Sequence, residues 1–204
     1  MAYRGLERFL HLGDMFLVMA GRRFVSVPIP SAYHLLHPKL VAIVVAVDAK
    51  GKPNGMTVAW MTPASMNPPM ICVAMAPSRY TYELVRRSRE FTVNILSVEH
   101  IKTANYFGTV SGRYEDKFAR SGIGFAQSTR VRAPYLIDAL GVLECRVVRE
   151  FRAGDHILVV GRVENAYVKE GAFKEDIYNV EAVKPLLHLG GDNYTTVSGE
   201  VLKP

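Results

Sequence analysis

Seven consecutive apolar residues, Val41-Ala-Ile-Val-Val-Ala-Val47, stand between Pro38 and the turn Asp48-Ala-Lys-Gly51. A short run of this kind, rich in β-branched side chains and closed by turn residues, is a strand. Past Pro53-Asn-Gly55 the chain doubles back along Met56–Met61, and a third strand over Met70–Ala76 stops at Pro77-Ser78. Phe91-Thr-Val-Asn-Ile-Leu96 alternates, with Phe91, Val93 and Ile95 on one face. Two longer strands follow. In one, Leu143, Cys145 and Val147 alternate against Glu144 and Arg146; after Arg152-Ala-Gly-Asp155, Ile157, Val159, Gly161 and Val163 alternate through the other. Helical segments are short. Ser78 is the expected N-cap of a helix over 79–87, and Ser97 of a second with Ile101, Ala104 and Gly108 on its inner side. Glycine and charged residues fill 108–124. Strands that return through short turns, with few helices between them, predict a mainly β, antiparallel barrel rather than a doubly wound sheet. Closing the sheet also removes its exposed edges.

One stretch fits this pattern poorly. Asn54-Gly-Met-Thr-Val-Ala-Trp-Met-Thr-Pro-Ala-Ser-Met-Asn-Pro-Pro69 opens as a strand and then runs into prolines. It gathers Thr57, Thr62 and Ser65 beside the single tryptophan, Trp60. An ordinary core strand has little use for so many small hydroxyls at its end.

The 204 residues divide into an N-terminal extension, 1–24, and one domain, 25–204. The formal charge of +6 favours anionic partners such as nucleic acid, a phosphorylated cofactor or an acidic protein, or else a plain basic surface. The densest cluster, Arg86-Arg87-Ser88-Arg89, reads as a solvated helix face. Cys72 and Cys145 both sit in apolar strand runs, which predicts buried thiols in a reducing cytoplasm rather than a disulfide framework. No apolar run is long enough to span a membrane. Glu7, His11 and Asp14 interrupt the apolar N-terminus, so it reads as a short amphipathic helix or ordered tail and not as a signal peptide.

The common catalytic signatures, Walker loop, GxSxG, HExxH and CxxC, are missing. Only His34 and His37 among the six histidines have ligand-like spacing, and beside Pro38 they read as an ordinary segment; no metal site is expected. Three constellations remain. Ser78-Arg-Tyr-Thr-Tyr82 opens a helix, where unpaired N–H groups, the Arg79 fork and the Thr81 hydroxyl suit a terminal phosphate. A plain capped helix with a surface arginine explains it equally well. Phe107-Gly-Thr-Val-Ser-Gly-Arg-Tyr-Glu-Asp-Lys-Phe118 is either a loop closed by ion pairs among Arg113, Glu115, Asp116 and Lys117 or a backbone-rich rim over a ligand. Gly154-Asp-His156 delivers a histidine to the start of a strand, a structural position or a ligand-facing one.

In this order, these segments resemble the flavin reductase-like family with the FMN-binding split-barrel fold, whose members include flavoredoxin and archaeal ferric reductases. The matching residues are Asn54–Trp60 with Pro63, Ser65 and Pro68-Pro69, then Arg79-Tyr-Thr-Tyr82 and Phe91-Thr-Val-Asn94. They continue with Phe107-Gly108, Ser111-Gly-Arg113, Asp116-Lys-Phe118, Gly154-Asp-His156, Pro185-Leu-Leu-His188 and Tyr194. The resemblance implies a Greek-key split β-barrel with a few flanking helices, FMN as cofactor and NAD(P)H as electron donor. It implies that Asn54, Thr57 and Ser65 meet the ring or ribityl chain, and that backbone amides over Met56, Thr57, Val58, Ala59 and Trp60 meet the ring edge. Arg79, Tyr80 and Thr81 would hold the phosphate, and Ser111, Gly112 and Lys117 would close the site. His156 and Tyr194 would line the outer ring face where nicotinamide stacks, with His156 the catalytic candidate in a positioning role. The family also implies a homodimer with flavin sites at its interface and an electron acceptor left unidentified.

On this reading Asn54–Pro69 is a strand whose end stays open for the flavin, its prolines stopping further pairing. Two other functions stand beside the reductase: an FMN-binding electron carrier without its own NAD(P)H activity, and a basic barrel that binds nucleic acid. The last predicts aromatics interleaved with Lys/Arg on one strand face, whereas most Tyr and Phe lie in the motifs above or in core runs.

Overall fold

The computed structural model describes residues 24–202 and, as backbone, Val18–Met19 and Arg22–Arg23. The chain divides into two compact units, Met1–His37 and Pro38–Pro204. In the first, Val18–Met19 pairs antiparallel with Arg22–Arg23, and Ile29–Leu36 is a 3-10 helix led in by Pro28 and Pro30. The amphipathic helix expected over the first twenty residues otherwise lies outside the described residues.

The second unit is built on seven strands: β1 Ala42–Val47, β2 Pro53–Val58, β3 Met61–Met66, β4 Pro69–Met75, β5 Glu90–Ile95, β6 Gly141–Ala153 and β7 His156–Val168. They form one antiparallel sheet in the order β2-β1-β5-β6-β7-β4-β3. The edge strands β2 and β3 are joined by Ala59-Trp60 alone. Two residues cannot span a flat seven-stranded sheet, so the sheet must curl until its edges approach at Trp60. No ladder joins β2 to β3, and the barrel is split there. The Trp60 carbonyl accepts from the Ala74 N–H at 2.9 Å, tying the crossover to β4.

All of β1 is buried because both its faces are covered, which is why its sequence is continuously apolar. Val44 joins Phe91, Val93, Val73, Met75, Cys145 and Val159 inside the barrel, with Tyr82, Leu84 and Val85 of helix α1 (Tyr80–Ser88) packed among them. Ile43 and Val45 face outward onto Ala104 and Phe107 of α2 (Ile101–Thr109) and Phe118 of α3 (Lys117–Ser121). Fully buried aromatics such as Phe91 and Phe107 each contribute about 2–3 kcal/mol of transfer free energy.

Several local expectations are corrected. The return strand is Pro53–Val58, and Met61–Met66, expected to be barred from pairing, is a strand matched to β4 through Thr62↔Cys72 and Pro63↔Ile71. At a sheet edge the missing N–H of Pro63 costs no second ladder, and a register shift between Pro63 and Ser65 absorbs the irregularity. Arg79, not Ser78, occupies the N-cap of α1, and it makes no side-chain cap bond. In α2, Phe107 takes the inner position with Ala104, leaving Ile101 exposed. Cys145 is buried, and burial pushes its thiol up, but Cys72 is only partly covered.

Candidate functional site

Where β2 leaves the sheet, a cavity of about 430 Å³ opens between the strand end and α2. Met56, Thr57, Val58, Ala59 and Trp60 form one wall. Ala74 to Ala76 at the end of β4, Arg79, Asn105 and Gly108 of α2, His156 at the start of β7, and His188 and Tyr194 complete it. Val58 and Met56 point into the core, and the small side chains of Ala59, Ala74 and Ala76 leave room beside the backbone. Trp60 and His156 stack at a 34° tilt with ring centroids 4.9 Å apart, and His156 Nδ1 lies 2.8 Å from the Asp155 carboxylate. Tyr194 stands over His188, centroids 5.4 Å apart, and the His188 Nε2 pairs with the Gly191 carbonyl at 2.8 Å.

A smaller cavity of about 140 Å³ adjoins the first, and Met56 and Arg79 line both. Asn54, Ser78, Tyr80, Thr81, Phe107, Val110, Ser111, Gly112 and Lys117 line it. It is the cationic end. Lys117 is buried, and its ammonium donates to the Phe107 carbonyl at 3.0 Å and the Val110 carbonyl at 3.1 Å. Burial, with the Arg79 charge in support, lowers its pKa to about 8. Arg79 reaches toward the Gly108 carbonyl at 3.4 Å. The first amides of α1 open here without a capping side chain, and a helix N-terminus attracts negative charge.

The surrounding contacts hold these groups in place. Asn54 Nδ2 donates to the Thr81 hydroxyl at 2.8 Å. A Cβ on Gly112 would fall 1.9 Å from Asn54 Oδ1, so only glycine lets the loop close over that amide. Arg113 lies 5.1 Å over the Tyr80 ring and pairs with Glu83 at 2.7 Å. Asp116 caps α3 through the Ala119 N–H and pairs with Lys52 at 2.9 Å; that pairing holds its carboxyl below the usual range. The ion pairs expected among Arg113, Glu115, Asp116 and Lys117 do not form: Arg113 pairs with Glu83, Glu115 with Arg120 and Asp116 with Lys52, while Lys117 bonds backbone carbonyls.

The structure therefore brings Asn54, Met56 to Trp60, Arg79 to Thr81, Ser111, Gly112, Lys117, His156 and Tyr194 to two adjoining cavities. Ser65 lies outside both cavities, on β3 opposite Met70. Thr57 lines the larger chamber, but its hydroxyl donates to the Ala104 carbonyl at 2.6 Å and so ties β2 to α2. Ala74, Ala76, Asn105 and Asp192 also line the chamber. Neither small alanines nor a lone helical asparagine carries a sequence signal for such a role. Among the described residues no group of three His, Cys, Asp or Glu side chains is placed to hold a metal ion, and no helix is long and apolar enough to cross a membrane.

A family model described as the flavin reductase like domain matches residues 34–198. The FMN-binding protein from Thermus thermophilus, solved with bound 1-cyclohex-2-enone, superposes with a TM-score of 0.78 at 26% identity, covering 89% of this chain and 98% of that one. Flavoredoxin of Desulfovibrio vulgaris (Miyazaki F) gives 0.75 at 27% identity, covering 82% and 91%. An NADH:riboflavin 5'-phosphate oxidoreductase of Streptomyces pristinaespiralis is 35% identical over 121 residues, 59% of this chain and 66% of that one.

Proposed function

The chain belongs to the flavin reductase like family, and from that membership and its two adjoining cavities we propose an FMN-dependent oxidoreductase that accepts hydride from NAD(P)H. One observation carries the reading: a chamber with aromatic and backbone walls lies against a small cationic cavity lined by Arg79, Lys117 and Thr81, with Met56 and Arg79 walling both. A flat ring with a phosphate tail has that shape and that charge. FMN, when bound, supplies the hydride and electron chemistry.

The chain's residues bind and orient. Lys117, Arg79 and the α1 amides neutralise the phosphate, and Thr81, whose oxygen already accepts from Asn54, has its own hydrogen left to donate. Met56 to Trp60 line the chamber along a sheet edge, where backbone amides not used in the β1 ladder can meet a ring edge. The Trp60–His156 stack offers a flat platform beside the ring chamber, and His156 positions the nicotinamide there. The nicotinamide donor is supported by the name of the Streptomyces relative, and FMN by that of the Thermus protein.

The visible spectrum of the purified protein tests the cofactor: a flavin absorption band is expected. Mixing with NADH and then NADPH in the absence of air tests the enzyme, and the band is expected to bleach. A flavin band that neither nucleotide bleaches leaves the electron-carrier reading, which the likeness to flavoredoxin favours. An acceptor screen over free flavin, ferric chelates and protein partners then defines the second half-reaction.

We also read the protein as a cytoplasmic homodimer. On the outer sheet face beside the ring chamber, Phe151, Leu158 and Ala74 align across β6, β7 and β4, with Val160 and Cys72 in the next row. Phe151 is about half exposed, and a second copy is the natural cover for this face. Sedimentation of the purified protein at twice the chain mass is the expected result. Against nucleic acid, Arg87 and Arg113 are spent on Glu83, Arg132 and Arg146 on Glu90, Arg89 on Glu150 and Arg162 on Glu164.

A further inference from the structure

A narrow barrel is normally filled by its own side chains. One half of this one obeys that rule. The Phe91 ring occupies the space a Cβ on Gly161 would need, 2.6 Å away, and Met75, Cys145 and Val159 around it are fully buried. The other half is left open. There the inward positions of β6 and β7 carry Gly141 and Ala166, and a cavity of about 670 Å³ remains between Met61, Ile71, Ile95 and Leu143. It is larger than the ring chamber, and Trp60 and Met61, adjacent in the chain, line one cavity each. The crossover thus faces the ring chamber, and β3, which begins right after it, faces the second cavity.

Among the described residues no charged side chain lines this cavity. Its rim is the hairpin Phe173–Lys174/Ile177–Tyr178, turned by Glu175 and Asp176 with φ of 53° and 63°. Phe173 and Tyr178 meet edge to face, centroids 4.6 Å apart. The Tyr178 hydroxyl points inward, 3.6 Å from where a Gly141 Cβ would sit. It makes no hydrogen bond among the described residues, and burial pushes its pKa up, so it stays a neutral donor.

We propose that the open half of the barrel is a second ligand site, separate from the ring chamber. It takes a neutral, largely apolar small molecule of bicyclic-aromatic size that carries one hydroxyl or carbonyl for Tyr178. The volume lies within the range of roughly 300–1,000 Å³ usual for small-molecule sites. An anion finds no counter-charge in this lining, and a strongly polar ligand would lose hydration without replacement.

The test is calorimetric titration of the full chain, with and without FMN, by 2-naphthol at neutral pH. One 2-naphthol per chain with micromolar affinity, unchanged by FMN, is expected. Leu143→Trp, and Ala166→Leu as a milder filling variant, are expected to weaken binding more than tenfold while FMN binding stays as in the parent. Tyr178→Phe is expected to weaken 2-naphthol about fivefold and leave naphthalene unaffected. Absence of binding, retention of full affinity by a folded filling variant, or competition with FMN overturns the proposal. Because FMN binding is read separately, failure of this site and failure of the flavin reading give different results.

Discussion

The Asn54 side-chain amide donates to the Thr81 hydroxyl over 2.8 Å, and so fastens the first turn of α1 to the edge strand β2. Both residues are buried, and both line the cationic cavity. An oxygen that accepts from Asn54 has its own hydrogen directed away from that amide, which leaves it to donate to a ligand. Asn54→Ala removes that bias and leaves Thr81 free to turn its hydrogen to another acceptor. We predict about a tenfold loss of FMN affinity, the worth of one hydrogen bond to a charged group. FMN fluorescence quenching measures it, and an affinity equal to the parent's would sink the idea.

Gly112 is coupled to the same amide, since an added methyl would meet Asn54 Oδ1 at 1.9 Å. Gly112→Ala should destabilise by about 2 kcal/mol and lower the melting temperature by about 4–8 °C. In an Asn54→Ala background the clash has no partner, so most of that loss should vanish. Additive melting shifts in this double-mutant cycle would show that the loop is strained for another reason.

The barrel was legible where apolar residues run unbroken or recur at every second position: β1 in its continuous apolar run, β5, β6 and β7 in their period of two. Strand β3 was not, because Thr62, Pro63 and Ala64 are exposed at an edge and leave no apolar rhythm. The site was legible as motifs in chain order, which carried the resemblance. The motifs did not show that the Thr57 hydroxyl is committed to Ala104, or that Lys117 escapes the ion pairs around it. Glu144 illustrates the limit. Alternating with Leu143 and Cys145 it reads as solvent-facing, yet a segment more than ten residues earlier folds over it and leaves it fully buried.

That burial gives a third prediction. The Glu144 carboxylate accepts from the Thr129 N–H and hydroxyl, the Arg130 and Val131 amides and the Tyr167 hydroxyl. Burial alone raises its pKa, but the bonds from Tyr167, Thr129 and Arg130 outweigh burial and hold it below the usual carboxylate range. A lowered folded pKa means stability that is present above the unfolded value and lost as pH falls below it. Glu144→Gln turns an N–H₂ toward donors and should cost about 2–4 kcal/mol at neutral pH. It should also flatten the loss of stability below pH 4.5, the unfolded value. Urea unfolding across that range measures both effects, and a variant as stable as the parent would contradict the network's role.

For His156, stacked on Trp60 at 4.9 Å, the expected work is positioning. His156→Phe keeps a flat ring and should retain NADH oxidation within about threefold, whereas His156→Ala should raise KM for NADH about tenfold with kcat little changed. FMN absorbance should be the same in both. If both variants lose kcat, His156→Phe as much as His156→Ala, the imidazole takes part in proton transfer and the positioning role is wrong.

Lys117 sets opposite pH trends for the empty and the loaded protein. Its pKa falls from 10.5 to about 8 in the fold, chiefly through burial. Between those values the unfolded chain holds a proton that the native chain has released, so stability of the flavin-free protein should rise with pH across that window. Below it, the buried charge is a standing cost. A phosphate in the adjoining cavity favours the protonated form and raises the pKa, so FMN affinity should fall as pH climbs past about 8 and binding there should take up a proton. Lys117→Met should bind FMN weakly, with little pH dependence between 8 and 10.5, and should lose the stability slope. Titrations in buffers of different ionisation enthalpy count the proton. An FMN affinity that falls just as steeply above pH 8 in Lys117→Met would assign the effect to another group.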